Sequence, residues 1–463
     1  MQRLAETLVA TWAGTPGRKP LVLRGARQTG KTWLIKHVGE QFHGDMAYIN
    51  LEREPDLAVC FQPNDPKAVL ALLEARLRRT ITPGTTLLFL DEIQATPEIL
   101  SKLRWFYEEL PKLHVVAAGS LLDFALADHA FSMPVGRITY GHLEPMTFAE
   151  FLLACGEDHL LAAIRACTLT TGLHASLHAQ AMKLIRIYTL VGGMPAAVKL
   201  WVDTRSFTTT AELHRDLLQT IRDDFAKYSA HAHGKVHTAK VAKVFAALPR
   251  LVGRKFMPSV VDRDETSLAL KNAFHLLALA RVLTPVQRTM ANGIPLGAEL
   301  DDRYQKCCML DVGLFATMCG LDAVTVTSQS DLTLVNEGQL AEQLVGQELR
   351  ACRPFNQEPA LFTWVREAKN SNAEVDYVLQ IGTRIVPVEV KAGATGRLRS
   401  LHMMVSEKKL DLAVRVSSEP LLVQEVATAV PVGTTHSFTL LSVPFYLVSE
   451  LPRLIAEVPA RHG

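Results

Sequence analysis

The stretch from Pro20 to Val38 reads PLVLRGARQTGKTWLIKHV, and its reading decides the fold. A short apolar run, Leu21 to Leu23, passes through a glycine-punctuated turn into an amphipathic helix. Gly25, Gly30, Lys31 and Thr32 match the pattern G-x-x-x-x-G-K-[ST]. The glycines let the backbone bend so that the N–H groups of Ala26, Arg27, Gln28, Thr29 and Gly30 face one anion, and the following helix adds its positive end. Lys31 is then placed for β- and γ-phosphate oxygens and the Thr32 hydroxyl for Mg²⁺, so ATP and Mg²⁺ are the expected ligands.

Further on comes TTLLFLDEIQ, a continuous apolar run that ends in adjacent acids. Such a run fits a strand buried on both faces of a parallel sheet. Asp91 sits where it can hold the Mg²⁺ shell and Glu92 where it can polarise the attacking water. MAYINLE (Met46 to Glu52) reads as another strand, Pro66 to Thr80 and PEILSKLRWFYEEL as helices, and LHVVAAGS as a buried strand. Ser120, closing that last strand, is a candidate sensor of the γ-phosphate. Arg137, in MPVGRITYG, is a candidate arginine finger in its own subunit or a neighbour's. Gln94 and Glu98 read as surface or capping residues.

The chain has 463 residues, more than one core serves, and 48% of them are hydrophobic. Three regions are expected: 1–165, 166–333 and 334–463. Lys and Arg number 49 against 47 Asp and Glu, so no global charge announces nucleic acid, membrane or acidic partners. The seven cysteines form no C-x-x-C pair, which favours buried free thiols in a reducing compartment. No run approaches the about 18 apolar residues of a membrane span, and MQRLAETLVATWAG lacks the apolar core of a signal peptide. A cytoplasmic protein without membrane contact is expected.

Cys167 to about Tyr228 is helical in pattern, with VGGMP as a break and AELHRDLLQTIRDDFAKY as an amphipathic helix. KVHTAKVAKVFAALPRLVGRKF, SLALKNAFHLLALARVL and TPVQRT then give helices and a short strand, the order of a winged helix. Lys240, Lys243, Arg250, Arg254, Lys255 and Lys271 are its candidate DNA-phosphate anchors, against a partner- or self-packing role. His231, His233 and His237 in HAHGKVH read as a loop rather than a metal site.

From about Leu334 the pattern restarts as αβββαβ. NEGQLAEQLVGQELRACR is an amphipathic helix carrying Glu342 among apolar neighbours. ALFTWVRE, AEVDYVLQIG and RIVPVEVKAG follow as strands, the last two joined at Ile381, Gly382 and Thr383. A helix around Arg397 to Lys409 and the strand LDLAVRVSS follow. Glu389 and Lys391, two apart, share a strand face, and the hairpin brings Asp376 beside them. Asp376 and Glu389, with Glu342 from the helix, are the expected Mg²⁺ ligands, and Lys391 the group that steadies the phosphate. Acid on a helix, then D, then E-x-K, is the PD-(D/E)-x-K nuclease order, with Glu374 as an extra acid and Val375 where a proline usually stands.

The GARQTGKT loop, the LDEIQ strand, the AAGS strand end and GR-x-x-x-x-x-LEPMTFAEF together resemble the bacterial and archaeal AAA-type ATPases that carry a C-terminal domain of unknown function. LVGGMPAAV (Leu190 to Val198) and KCCMLDVGLF (Lys306 to Phe315) are similar to further landmarks of that family. The resemblance covers nearly the whole chain. It implies an α/β protein with an N-terminal P-loop AAA-type parallel sheet, a helical and winged-helix middle, and a C-terminal restriction-endonuclease-like α/β domain. The expected function is ATP hydrolysis, with Lys31 and Glu92 as working residues, coupled to a nuclease-like domain acting on DNA. The alternative is a nucleotide-dependent regulatory protein, self-associating or partner-binding, whose terminal domain does not cut.

Overall fold

Strand β1 (Leu21–Arg24) lies between β4 (His114–Ala118) and β5 (Thr139–His142), with β3 (Leu87–Asp91) and β2 (Met46–Asn50) completing the order β2-β3-β4-β1-β5. All four pairings are parallel. Every residue of β3 and β4 is buried, as their unbroken apolar runs require, because helices cover both faces. The computed structural model describes residues 1–41, 45–127, 133–231, 236–321, 337–367, 373–393, 398–428 and 436–459. His233, Arg397 and the segment before Glu337 lie outside these ranges.

Helix Lys31–Gln41 leaves the glycine turn directly. Helix Pro66–Leu77 starts on Asp65, whose side chain accepts from the Lys67 N–H, with Pro66 in the first turn where no N–H is needed. Thr147 and Glu150 form a reciprocal capping box at helix Phe148–Ala154.

Among the described residues the middle region is mainly helical between Ala175 and Leu279, and the chain then forms the hairpin β6 (Leu283–Thr289) and β7 (Leu300–Met309). The break at VGGMP has a physical cause. A Cβ on Gly193 would meet the Met146 oxygen at 2.0 Å, and one on Gly192 would meet Asp311 at 2.1 Å. Asp311, fully buried, accepts from Gly193 N (2.6 Å), Gly313 N (3.0 Å) and Leu314 N (3.1 Å). The LEPM, VGGMP and MLDVG stretches therefore meet in one knot.

The hairpin does not stand alone as a wing. β6 also pairs in parallel with β8 (Leu361–Arg366), which pairs with β9 (Ala373–Val375), giving a sheet of order β7-β6-β8-β9. The sequence reading had one strand where the chain has two, because AEVDYVLQIG bends at Asp376. Its carboxylate accepts from Val390 N (2.8 Å), and the backbone leaves one sheet for another. β10 (Tyr377–Ile381) opens the second sheet, β10-β11-β12-β14-β13, with β11 (Arg384–Val390), β12 (Leu412–Ser417), β13 (Leu422–Ala427) and β14 (Ser437–Pro444). The hairpin turn is Gly382-Thr383, with Gly382 at φ +60. One continuous apolar core runs from Met146 and Phe148 through the middle helices to Tyr446 and Ile455.

Candidate functional site

Between β1 and helix Lys31–Gln41 the backbone takes positive φ at Gly25 (+154), Gln28 (+64) and Gly30 (+91). A Cβ on Gly25 would sit 2.4 Å from the Leu143 oxygen, so only glycine lets the loop pass there. Lys31, almost fully buried, donates to the Gly25 (2.9 Å) and Ala26 (2.7 Å) carbonyls. Burial pulls its ammonium down to about 8, opposed by Glu92 and Asp91. Thr29 donates to Ala26 O at 2.9 Å and bears no exposed surface.

The acids of β3 complete the arrangement. Thr32 Oγ1 donates to Asp91 Oδ2 at 3.0 Å, and Tyr48 OH to the same oxygen at 3.1 Å. Burial raises the Asp91 carboxyl, and the Thr32 hydrogen bond works against that rise. Glu92, in the left-handed region at φ +51, is reached by Ser120 Oγ (3.2 Å) and by Gln94 Nε2 (2.5 Å). Gln94 is thus not the surface or capping residue its loop position suggested; the turn after β3 brings it back onto Glu92. β4 lies between β1 and β3, which is why Ser120 at its end stands beside the acid at the end of β3.

These groups open onto a cavity of about 730 Å³. Lys31, Thr32, Glu92 and Ser120 line it together with Pro195, Lys199 and Lys227 of the middle region. The residues fit a magnesium-bound triphosphate: a glycine cradle, a buried lysine, and a hydroxyl paired with a carboxylate, a hard oxygen set that leaves room for phosphate oxygens and water.

A family model described as an AAA domain covers residues 17–152. This segment matches an AAA domain. Residues 182–325 and 337–445 match two domains of unknown function, DUF8612 and DUF4143. No curated protein sequence matches the chain. Among solved structures, the Walker-type ATPase PABY2304 of Pyrococcus abyssi is similar at 14% identity, covering 68% of this chain and 95% of that one, with a TM-score of 0.41. The Aeropyrum pernix Orc1 protein in complex with DNA is similar at 12% identity, covering 69% of this chain and 93% of that one, with a TM-score of 0.30. These distant likenesses add nothing to the argument from the site.

Other residues tie the phosphate-loop segment to its surroundings. Arg27 pairs with Asp224, at 2.7 Å, where two middle-region helices meet. Arg3 bonds the Thr29 carbonyl (2.7 Å) and Glu150 (2.8 Å), fastening the loop from behind. Arg24, just before Gly25, pairs with Asp123, which also takes the Arg281 guanidinium at 2.7 Å. Neither Arg3 nor Asp123 was read from sequence; their partners lie far along the chain. Arg137 stays away from the cavity in its own chain: it pairs with Glu108 at 2.6 Å and lines a separate hollow with Ser101 and Trp105.

Of the candidate DNA anchors, Lys240 pairs with Glu265, Lys243 with Asp262 and Glu265, and Lys255 with Glu367. His237 caps helix Thr238–Leu251 by accepting from Ala239 N. Among the described residues no helix is long and apolar enough to cross a membrane.

In the terminal domain, Asp376, Glu389 and Lys391 do converge. Lys391 Nζ is 2.7 Å from Glu389 Oε1, and Asp376 holds the N–H of Val390 between them. Burial, then the neighbouring Asp376, push the Glu389 carboxyl up to about 7, and burial drives Glu342 well above the carboxylate range. A residue the sequence reading passed over stands among them. Lys306 of β7, with its side chain 1% exposed, is 2.8 Å from Glu374, 3.4 Å from Glu342 and 4.0 Å from Asp376. Among the described residues no three His, Cys, Asp or Glu side chains form a metal-holding group. The Lys306 ammonium thus lies among the oxygens of two of the acids expected to hold Mg²⁺, Glu342 and Asp376. The signal was a lysine heading the apolar run KCCML in a strand, a charge that needs a partner when buried.

Proposed function

We propose that the protein binds and hydrolyses ATP in the loop Gly25 to Thr32 and passes the nucleotide state to its middle and terminal regions. The observation that carries this reading is the 3.0 Å contact between Thr32 Oγ1 and Asp91 Oδ2, on a cavity that also presents Lys31 and Glu92. Bound there, Mg²⁺ would supply positive charge against the phosphates. Thr32 and Asp91 would hold the ion, Lys31 would pair with the terminal phosphates, and the loop N–H groups of Ala26 to Gly30 would bind the remainder. Glu92, held by Ser120 and Gln94, orients the attacking water and takes its proton. Pro195, Lys199 and Lys227 of the middle region also line the cavity, so its closure would move the middle region with the nucleotide.

The direct test is ATP turnover by the full chain. Wild type turns over, while Lys31→Ala and Glu92→Gln do not; a folded wild type without turnover refutes hydrolysis.

A second reading, phosphodiester cleavage of DNA by a nuclease-like terminal domain, is favoured by one observation, the convergence of Asp376, Glu389 and Lys391. Plasmid, linear and branched DNA left intact with Mg²⁺ or Mn²⁺ contradicts it and leaves the alternative, a nuclease-like fold that serves regulation. The pairing of Lys240, Lys243 and Lys255 with acids of the chain favours a packing role over DNA contact for the middle module.

A further inference from the structure

The acids of the terminal domain and a buried lysine of the middle region make one cluster. Lys306 enters from β7, where it pairs across the hairpin with Val286, and its ammonium is flanked by Glu342 of helix Glu337–Ala351, Glu374 of β9 and Asp376 at the strand bend. Tyr304, two residues earlier on the same face of β7, donates to the other oxygen of Glu374 at 2.7 Å. The ring of Tyr377 lies 6.0 Å from the Lys306 nitrogen and its hydroxyl donates to the Glu342 carbonyl at 2.9 Å. Gly253 closes over Glu342, whose carboxylate would lie 2.8 Å from a Cβ there. Glu389, beside Asp376, takes the second ammonium, that of Lys391.

A divalent metal bound by these carboxylates needs oxygen ligands at about 2.1 Å and, for Mg²⁺, several waters of its own. Here the central position is taken by a buried cation that cannot diffuse away, so an incoming ion would have to displace it. A second, doubly charged ion among the same oxygens would meet repulsion from the ammonium. We propose that Lys306 is a tethered cation that fills the place of a divalent metal among Glu342, Glu374 and Asp376. The terminal domain, folded in this way, takes up no divalent metal. The same contact clasps the β6-β7 hairpin to the terminal domain, and cleavage chemistry there requires Lys306 to withdraw.

The test is Mn²⁺ uptake by the full chain without nucleotide, followed by the loss of the free-ion electron paramagnetic resonance signal. Wild type and Asp376→Asn are expected to take up the same amount. Lys306→Ala is expected to gain one Mn²⁺ per chain, bound at least about tenfold more tightly than anything in wild type. The gain disappears in the Lys306→Ala, Asp376→Asn double variant. Wild-type uptake that Asp376→Asn removes overturns the proposal. So does a folded Lys306→Ala, judged by circular dichroism, that gains no ion. Should Lys306→Ala not fold, the wild type and Asp376→Asn comparison decides, and Mn²⁺-dependent nicking of plasmid by wild type that Glu389→Ala abolishes also overturns it.

Discussion

The Arg27 guanidinium lies 2.7 Å from the Asp224 carboxylate, so an ion pair joins the phosphate loop to the helices of the middle region. Arg27 also lines the cavity, where phosphate oxygens compete with Asp224 for its donors. Asp224→Asn frees Arg27 and is expected to tighten ATP binding about threefold to tenfold, since charge-assisted bonds of this kind are worth about 1 kcal/mol or more. Titration calorimetry of the two proteins checks this; unchanged or weaker binding in a folded variant denies the competition.

Glu92 has two side-chain donors, Ser120 and Gln94, which fix its carboxylate in the cavity. Glu92→Gln should keep ATP affinity within about threefold while lowering turnover about 100-fold or more, the usual scale of a general base. Gln94→Ala should lower turnover about tenfold with affinity intact, because it loosens the base without removing it. Equal losses in affinity and turnover for either variant would assign the residue to binding.

Glu348 gives a pH dependence. Its carboxyl is buried, accepts from Phe148 N (2.9 Å) and Tyr188 OH (3.2 Å), and burial pushes it from 4.5 up to about 7. Between pH 4.5 and 7 the unfolded chain releases this proton and the folded chain keeps it, so stability falls as pH rises through that window and levels off above it. Glu348→Gln removes the effect. Its melting temperature should match wild type near pH 4.5 and exceed it increasingly up to pH 7, by an amount worth about 3 kcal/mol. A difference that does not vary with pH contradicts this.

The phosphate loop was legible because its chemistry is contiguous: Gly25, Gly30, Lys31 and Thr32 stand in one turn, and an apolar run announces Asp91 and Glu92. Ser120 followed from the same logic, a polar residue ending a buried strand. What escaped was long-range. Lys306 meets Glu342, Glu374 and Asp376 only because β6 pairs with β8, and a parallel pairing leaves no local mark in sequence. The bend at Asp376 was missed because the flanking alternation reads as a single strand; the side chain that breaks it is satisfied by Val390 N across the sheet. β13 was unread because only one edge of it is paired and its side chains are largely exposed, so no apolar face marks it.

The central claim is that the Gly25 turn holds a triphosphate with magnesium against Thr32 and Asp91. Titration calorimetry of MgATP into the folded full chain tests it most directly. The account predicts one site per chain, weakened about 100-fold or more by Lys31→Ala, whose ammonium supplies charge-assisted bonds to the phosphates. No heat with the wild type, or the same affinity in folded Lys31→Ala, would contradict it.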